Sequence, residues 1–113
     1  MTARRYSIEV VSPGRGQKRV EGESWVFKEG VPATYPEGKI YVTPFLDLAQ
    51  AYLALQRAKA VIVTRGGILS HLAILGREFG VIVVRVDDPS ILEIGDGRRI
   101  SIDLDKGVVE VVG

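Results

Sequence analysis

The sequence contains no cysteine, no asparagine and a single histidine among its 113 residues. Without cysteine there is no disulfide, no thiolate metal site, no iron–sulfur ligation and no cysteine nucleophile. One histidine also excludes a metal site built from several histidines. The chain has only one methionine as well, and a composition poor in thermolabile residues is a feature of thermophile proteins.

An excess of charge of one sign is absent too. Fifteen Lys and Arg stand against fourteen Asp and Glu, which gives a formal net charge of +1. This balance argues against the broad basic surface with which proteins bind nucleic acid or anionic membranes non-specifically. No stretch approaches the roughly 18 apolar residues of a membrane span, and the N-terminus lacks the apolar segment of a secretory signal. We therefore expect a cytoplasmic protein with no nucleic-acid and no membrane partner.

What is present is enough apolar material for one domain. Hydrophobic residues make up 46% of the chain, and a chain of this length buries roughly two-thirds of its unfolded surface when it folds. No internal repeat, linker or low-complexity tract divides the sequence. We expect residues 1–113 to form a single domain.

The two ends of the chain have strand-like patterns. Alternation predicts one strand over residues 6–11 and a second over 24–27, with turn residues between them. Near the other end, Ile100, Ile102 and Leu104 alternate with polar residues, and a run of valines follows Gly107. This pattern predicts a hairpin closed by a tight loop that contains glycine.

The middle of the chain alternates between strands and helices. Apolar, largely β-branched runs predict buried strands over residues 39–43, 60–64 and 81–86. Between the first two, an amphipathic helix is predicted to run to about Ala58, and its apolar stripe is Phe45, Leu48, Ala49, Tyr52 and Leu53. Between the last two, Ser70 is a natural N-cap for a second helix, which would end at Gly80.

These elements predict an α/β fold with a three-stranded parallel core, two crossover helices and additional β structure at both ends. Crossovers of this length return the chain parallel to the preceding strand. Ligands of open parallel sheets collect outside the carboxyl ends of the strands. The segments that begin at Thr43, Thr64 and Arg85 are therefore the places to look for a site.

The segment after the second of these strands carries the histidine. It reads Thr64-Arg65-Gly66-Gly67-Ile68-Leu69-Ser70-His71. Glycines let a backbone approach a ligand closely, and the first turn of a helix offers free N–H groups and the positive end of its dipole. Because unperturbed imidazole has a pKa of about 6.5, neutral, nucleophilic imidazole is plentiful near pH 7. A phosphoryl group held at this turn could be transferred to His71.

The same residues also have a structural interpretation. Gly66 and Gly67 would form a turn, Ser70 would cap the helix, and His71 would pack or hydrogen-bond at the helix start. The chemistry of the residues alone leaves both interpretations open.

The stretch from Thr64 to Val81 resembles the signature of the phosphohistidine swivelling domain, the mobile domain of the phosphoenolpyruvate-utilising enzymes. The likeness extends from about Lys39 to the closing hairpin. This family includes pyruvate phosphate dikinase, phosphoenolpyruvate synthase and enzyme I of the sugar phosphotransferase system. The resemblance implies a swivelling β/β/α sandwich in which a histidine shuttles a phosphoryl group between remote sites on other domains.

By its place in the motif, His71 matches the phosphorylated histidine of the family, and Arg77 matches an arginine on the following helix. The resemblance also implies a set of phosphate-binding loop residues: Thr64, Arg65, Gly66, Gly67 and Ser70. It further implies that ATP or phosphoenolpyruvate, with Mg²⁺, binds to a partner protein. We therefore expect no metal and no cofactor on this chain.

Several positions depart from the family pattern. Leu69 stands where the family often has a small polar residue, and Gly76 stands where alanine is usual. Ile82 and Val86 replace a proline and a glycine. The sequence predicts a free-standing phosphohistidine carrier, related to phosphoenolpyruvate synthase, that relays a phosphoryl group through His71 between partner proteins. The departures favour the alternative, a non-catalytic anion-binding or protein-docking regulatory module on the same fold. A homo-oligomer is compatible with both.

Overall fold

A computed structural model describes residues 3–112 of the chain. Its elements, in chain order, are β1 (Arg4–Ser7), β2 (Glu9–Pro13), β3 (Arg19–Val26), β4 (Ile40–Thr43), α1 (Leu48–Leu55), β5 (Ala60–Val63), α2 (Leu69–Phe79), β6 (Ile82–Arg85), a 3₁₀-helix (Pro89–Glu93), β7 (Arg99–Asp103) and β8 (Val108–Val112). None of the helices formed by these residues has the length and apolar character needed to cross a membrane.

All eight strands belong to one sheet, in the order β1-β8-β7-β3-β4-β5-β6-β2. Strands β3 to β6 are parallel to one another, and the other neighbours are antiparallel. The parallel core therefore has four strands, not the predicted three. Only Ile8 separates β1 from β2, which form opposite edges, so the sheet curves until it is nearly closed. The α/β class is confirmed, and the finer β/β/α sandwich description stays a prediction.

Three predicted boundaries were wrong. The strand predicted over residues 6–11 is two strands, because the chain passes at Ile8 from one edge of the sheet to the other. The strand predicted over 24–27 begins earlier, at Arg19, because residues 19–23 pair with β7. The first helix spans only Leu48–Leu55 and not 45–58. Its start is fixed by a capping box, in which the Asp47 carboxylate accepts a hydrogen bond from the Gln50 backbone at 2.7 Å.

The strands separate two apolar cores. Side chains alternate along each parallel strand, so in β4 the side chains of Ile40 and Val42 enter one core while Tyr41 enters the other. The first core lies inside the curved sheet; every strand except β2 contributes to it, β3 through two partly buried valines. The second lies between the sheet and the two helices. The helices are thus held on the outer face of the parallel strands.

The apolar stripe predicted for α1 does not face the core. An apolar stripe of this kind normally packs inward, yet Leu48, Tyr52 and Leu53 each expose about half of their surface, at 53%, 54% and 52%. The buried side of α1 consists of other residues: Ala51, Ala54 and Leu55. The two small alanines let the helix lie close to the sheet, and two leucines and a tyrosine are left on the solvent side.

Close packing also explains the glycine in the middle of α2. A Cβ atom at Gly76 would lie 2.5 Å from the side chain of Ser12 in β2. Ser12 is fully buried, and its hydroxyl donates to the Val81 carbonyl at 3.0 Å and accepts from the Gly14 backbone at 3.1 Å. Glycine at position 76 therefore lets α2 approach β2 more closely than alanine would.

Candidate functional site

The carboxyl ends of the three central parallel strands lie side by side. Thr43 at the end of β4 is in register with Val63 of β5, and Val63 is in register with Arg85 of β6. The predicted site segments therefore do meet, at the carboxyl ends of the central strands. The loop that begins at Thr64 follows the central strand of the three.

The start of this loop is anchored to its neighbour. The backbone N–H groups of Thr64 and Arg65 both donate to the carbonyl oxygen of Pro44, at 3.1 and 2.9 Å. On the other side, the Val86 N–H donates to the Val63 carbonyl at 2.9 Å. These bonds hold the base of the loop, so the residues that follow leave the sheet edge in a defined direction.

The two glycines of the loop serve different needs. Gly67 has a φ of 93°, a left-handed conformation that side chains disfavour. The φ of Gly66 is not positive, and a Cβ atom at either glycine would meet no other atom within 4 Å. The conformation of the loop thus explains glycine at position 67 but not at 66. A glycine without a structural need leaves its backbone accessible to a ligand.

The prediction that Ser70 caps α2 was wrong. The helix begins at Leu69, its N-cap is Ile68, and Ile68 makes no side-chain capping hydrogen bond. The first helical hydrogen bond joins the Leu72 N–H to the Ile68 carbonyl at 2.9 Å, so Ser70 already lies inside the first turn. Among residues 3–112, no side chain accepts a hydrogen bond from the first-turn N–H groups of α2. Those groups, at the positive end of the helix dipole, remain available to an anion.

His71 is the third residue of α2, and its side chain is exposed. Within the described part of the chain, the imidazole has no hydrogen-bond partner. Ser70 beside it is exposed as well, and Thr64 is half-buried. The histidine therefore stands at the surface, at the uncapped end of the helix, five residues after the Gly66 backbone.

Two arginines near the motif, Arg65 and Arg85, occupy different environments. Arg65 lies over the ring of Phe45, with 5.8 Å between the guanidinium carbon and the ring centroid. Arg85 is half-buried between two carboxylates, at 3.4 Å from Glu9 and 3.0 Å from Asp87. Its charge is therefore already compensated within the fold.

Arg77 matches the family arginine in sequence but lies away from His71 on the helix. Six residues of α-helix correspond to about 9 Å along the axis and a rotation of about 240°. The two side chains therefore leave α2 on different faces.

A cavity of about 510 Å³ opens beside Arg65, at the predicted site segment that begins at Thr43. Phe27, Lys28, Thr43 and Phe45 are among the residues that line it. It lies between the ends of β3 and β4, which are parallel neighbours. The contribution of β3 to this cavity was not predicted, because β3 was not placed in the parallel set. No cluster of three or more metal-ligating side chains occurs in residues 3–112.

The sequence matches a known family over most of these elements. A family model described as the mobile domain of PEP-utilising enzymes matches residues 35–107. The chain belongs to this family. The match begins before β4 and ends between β7 and β8, so it includes both helices and the whole loop from Thr64 to His71.

Mobile domains in much longer proteins are similar to this chain. The probable phosphoenolpyruvate synthase of Archaeoglobus fulgidus is 32% identical over 98 residues, which cover 87% of this chain and 12% of that protein. The rifampicin phosphotransferase of Bacillus cereus is 34% identical over 94 residues, with coverage of 82% and 11%. The chain thus spans about an eighth or less of the length of these two relatives.

Two solved structures share the fold of this mobile domain. A UPF0107 protein determined by NMR in solution superimposes with a TM-score of 0.73 and covers 97% of this chain and 100% of its own. Aconitase X of Thermococcus kodakaraensis gives a TM-score of 0.69, with coverage of 97% and 99%. Both are 20% identical in sequence, so they inform the fold alone.

Proposed function

We propose that this mobile domain is a phosphohistidine carrier in which His71 accepts a phosphoryl group from one partner domain and passes it to another. The observation that carries the proposal is the position of the exposed His71 in the first turn of α2, a helix that starts without a side-chain cap. In the family, the histidine at this motif position is the one that carries phosphate. The names of the relatives, a phosphoenolpyruvate synthase and a phosphotransferase, agree with such a role.

The transfer step requires only a positioned nucleophile and compensation of charge. A lone pair of one imidazole nitrogen forms the bond to phosphorus while the bond from phosphorus to the donor's oxygen breaks. The electron pair of that bond leaves on the donor's oxygen, and the proton on the other imidazole nitrogen can be released to solvent. Passage to an acceptor oxygen reverses these events. The chain therefore has to present the imidazole and stabilise the phosphoryl oxygens.

The residues that would stabilise those oxygens are the ones that the motif supplies. The uncapped N–H groups of α2 provide donors and partial positive charge. The Gly66 backbone lies in open space, and the hydroxyls of Thr64 and Ser70 are further donors near the same turn. Arg65 supplies a positive charge on the loop, where no carboxylate is paired with it among the described ion pairs. We assign all five predicted loop residues, with Gly67 shaping the turn, to phosphate binding.

The donor and acceptor sites belong, in this proposal, to partner domains. The relatives devote only 12% and 11% of their length to the part that matches this chain. ATP or phosphoenolpyruvate, with its Mg²⁺, would bind to the partner. His71 would then meet the phosphoryl group only when the two domains are in contact.

Intact-mass spectrometry tests the proposal. The protein is incubated with an extract of the cells that make it, plus ATP or phosphoenolpyruvate. We expect the mass of one phosphoryl group to be added, to be lost on acid treatment, and to be absent in His71→Ala. If a known phosphohistidine protein is labelled in the same extract while the wild-type chain is not, the carrier function is wrong.

Gly66→Ala is a more specific test because it should lower the rate of labelling without lowering stability. Position 66 has room for a Cβ atom and an ordinary φ, so stability should change by less than about 0.5 kcal/mol. The methyl group would stand where phosphate approaches the backbone, so the rate of labelling should fall. Unchanged labelling in Gly66→Ala would remove this glycine from the phosphate-binding set.

A second candidate function keeps the site and omits the transfer. It is a regulatory module that binds an anion or docks a protein at the same turn. The observation in its favour is the imidazole, for which the described structure offers no orienting hydrogen bond. Labelling separates the two functions: a carrier would gain acid-labile phosphate that His71→Gln abolishes, whereas a binding module would gain none in wild type and would retain weakened anion binding in His71→Gln. Thermal stabilisation by phosphate measures that binding but is expected of both functions.

A further inference from the structure

The solvent side of α1 forms an apolar face that the fold itself does not use. We define the α1 face as the shallow groove of about 710 Å³ lined by five apolar or aromatic side chains: Leu48, Ala49, Tyr52, Leu53 and Leu75. Eight large apolar side chains are exposed in residues 3–112, and four of them lie between positions 45 and 53. Exposed apolar residues are ordinary when scattered, but a contiguous group indicates a surface that another molecule covers.

The composition of α1 supports this conclusion. A surface helix normally carries charged and polar residues on the side away from the core. The eight residues of α1 contain no charged side chain, and both of its sides are mostly apolar. The inward side is already occupied by the sheet. A helix that is apolar all round is expected to be covered on both sides, and here one side is open.

The α1 face continues toward His71 along α2. Ile74 and Leu75 follow His71 by three and four residues, so the three side chains lie along one side of the helix. Leu75 lines the groove, and Ile74 is 63% exposed. Four residues of α-helix correspond to about 6 Å. A molecule that brings a phosphorus atom to His71 therefore meets Leu75, and then α1, immediately beside it.

We propose that the α1 face is the docking surface for the partner domain that exchanges phosphate with His71. The partner presents apolar, uncharged side chains next to its own phosphoryl site. This inference rests on the proposed carrier function and identifies the surface through which it operates. Because no charged side chain lines the groove, the contact depends on apolar burial and responds little to salt.

The size of the face favours a transient partner over a second copy of the chain. Leu48, Tyr52 and Leu53 are each about half exposed, and since a large side chain has roughly 200 Å² of surface, together they offer on the order of 300 Å² of accessible surface. Stable dimers bury about 800 Å² on each partner. A partner that contacts only the α1 face and the neighbouring His71 loop buries less surface than a stable dimer does. Such a contact can dissociate, as a carrier requires.

The test compares two phosphoryl donors on two matched variants. Leu53→Glu places a charge on the α1 face, and Val112→Glu places the same charge at a similarly exposed position, 46% against 52%, on β8. Potassium phosphoramidate is a small donor that needs no docking: its phosphorus–nitrogen bond breaks, a bond to an imidazole nitrogen forms, and ammonia leaves. The second donor is the cell extract with ATP or phosphoenolpyruvate. Both reactions are followed as acid-labile mass on His71.

We expect phosphoramidate to label wild type and both variants at the same rate. In the extract, Leu53→Glu should be labelled at least about tenfold more slowly than wild type, the effect of losing about 1.4 kcal/mol of docking energy, while Val112→Glu should match wild type. Equal labelling of Leu53→Glu and wild type in the extract would overturn the docking surface and leave the carrier function standing. Failure of the wild type in an extract that labels a known phosphohistidine protein would overturn both.

Sedimentation equilibrium distinguishes the other occupant of the face. We expect wild type and Leu53→Glu to be monomers at micromolar concentration. A wild-type dimer that Leu53→Glu dissociates would mean that a second copy covers α1, which overturns the assignment to a phosphoryl partner. Urea unfolding of the variants provides the folding control, because a substitution at an exposed site should leave the midpoint unchanged.

Discussion

The two helices lie side by side on the same face of the sheet, but they begin differently and show different surfaces to solvent. Helix α1 begins at a complete capping box between Asp47 and Gln50. Helix α2 begins at Ile68 without any side-chain cap. On the solvent side, α1 exposes leucines and a tyrosine, whereas α2 exposes mainly polar and charged residues, His71 among them, together with Ile74.

The difference separates what stabilises the fold from what is left for partners. A side-chain cap satisfies N–H groups that would otherwise bind water or an anion. Helix α1 uses its cap and so has no anion-binding start, and its open apolar side is suited to a protein. Helix α2 leaves its first-turn N–H groups free beside a nucleophile. Each helix therefore has one surface that the fold leaves open: an apolar side in α1 and the first-turn N–H groups in α2. Ile74 and Leu75 lie between these two surfaces.

The largest expected effect distinguishes the buried from the open side of the helix pair. Leu72 of α2 is only 1% exposed, and its truncation to alanine should lower the free energy of unfolding by about 2–5 kcal/mol. Leu53 of α1 is 52% exposed, and the same truncation should change it by less than about 0.5 kcal/mol. Urea unfolding of both variants measures the contrast. Similar losses at the two positions would mean that the α1 face is packed in solution.

A second substitution tests the close approach of α2 to β2. Gly76→Ala favours helix formation by up to about 1 kcal/mol, but its Cβ would lie 2.5 Å from the Ser12 side chain. Overpacking of this kind costs about 1–3 kcal/mol, so we expect a net loss of stability. The double variant with Ser12→Gly should reduce that cost, which a double-mutant cycle measures. A Gly76→Ala protein more stable than wild type would contradict the packing argument.

Part of this architecture could be predicted from the sequence because local patterns determine it. The strands β4, β5 and β6 are short apolar runs bounded by turns, and the hairpin of β7 and β8 has its own glycine loop, so both were predicted near their observed positions. The motif from Thr64 to His71 was recognisable for the same reason. The left-handed C-cap at Gly80, with a φ of 72°, also follows from local chemistry.

The errors arose where distant parts of the chain decide the outcome. An apolar stripe normally packs inward, but in α1 the alanines on the other side of the helix fit the sheet more closely. The split at Ile8 depends on a pairing of β1 with β8 and of β2 with β6, which no local pattern reveals. The need for glycine at position 76, where alanine is usual, could not be predicted either, because its neighbour Ser12 is 64 residues away in sequence.

The third substitution compares the two helix starts directly. Asp47→Ala removes the capping box of α1 and should cost about 1 kcal/mol of stability. Ser70→Ala should cost less than about 0.5 kcal/mol, because Ser70 is exposed within the first turn of α2 and caps nothing. Thermal unfolding of the pair is the measurement. An equal loss in both variants would restore Ser70 as a cap and contradict the uncapped start of α2.

The smallest expected effect comes from a third helix start, that of the 3₁₀-helix. The Asp88 carboxylate accepts a hydrogen bond from the Ser90 backbone at 2.9 Å. This bond lowers the pKa of Asp88, and the Ser90 hydroxyl lowers it further. Since the pKa is lower in the folded chain, the stabilisation is present above the unfolded pKa and is lost as pH falls through the folded one. The uncapped start of α2 has no carboxylate that could add such acid sensitivity.

An NMR titration of the Asp88 carboxyl group checks this assignment. We expect a midpoint below the ordinary value for aspartate in wild type. We expect most of the lowering to persist in Ser90→Ala, because the backbone donor remains and is the larger cause. A midpoint that returns to the ordinary value in Ser90→Ala would assign the effect to the hydroxyl instead. The bond between the Asp88 carboxylate and the Ser90 backbone would then not be what distinguishes this helix start from that of α2. Helix α2 also has a serine hydroxyl, that of Ser70, in its first turn.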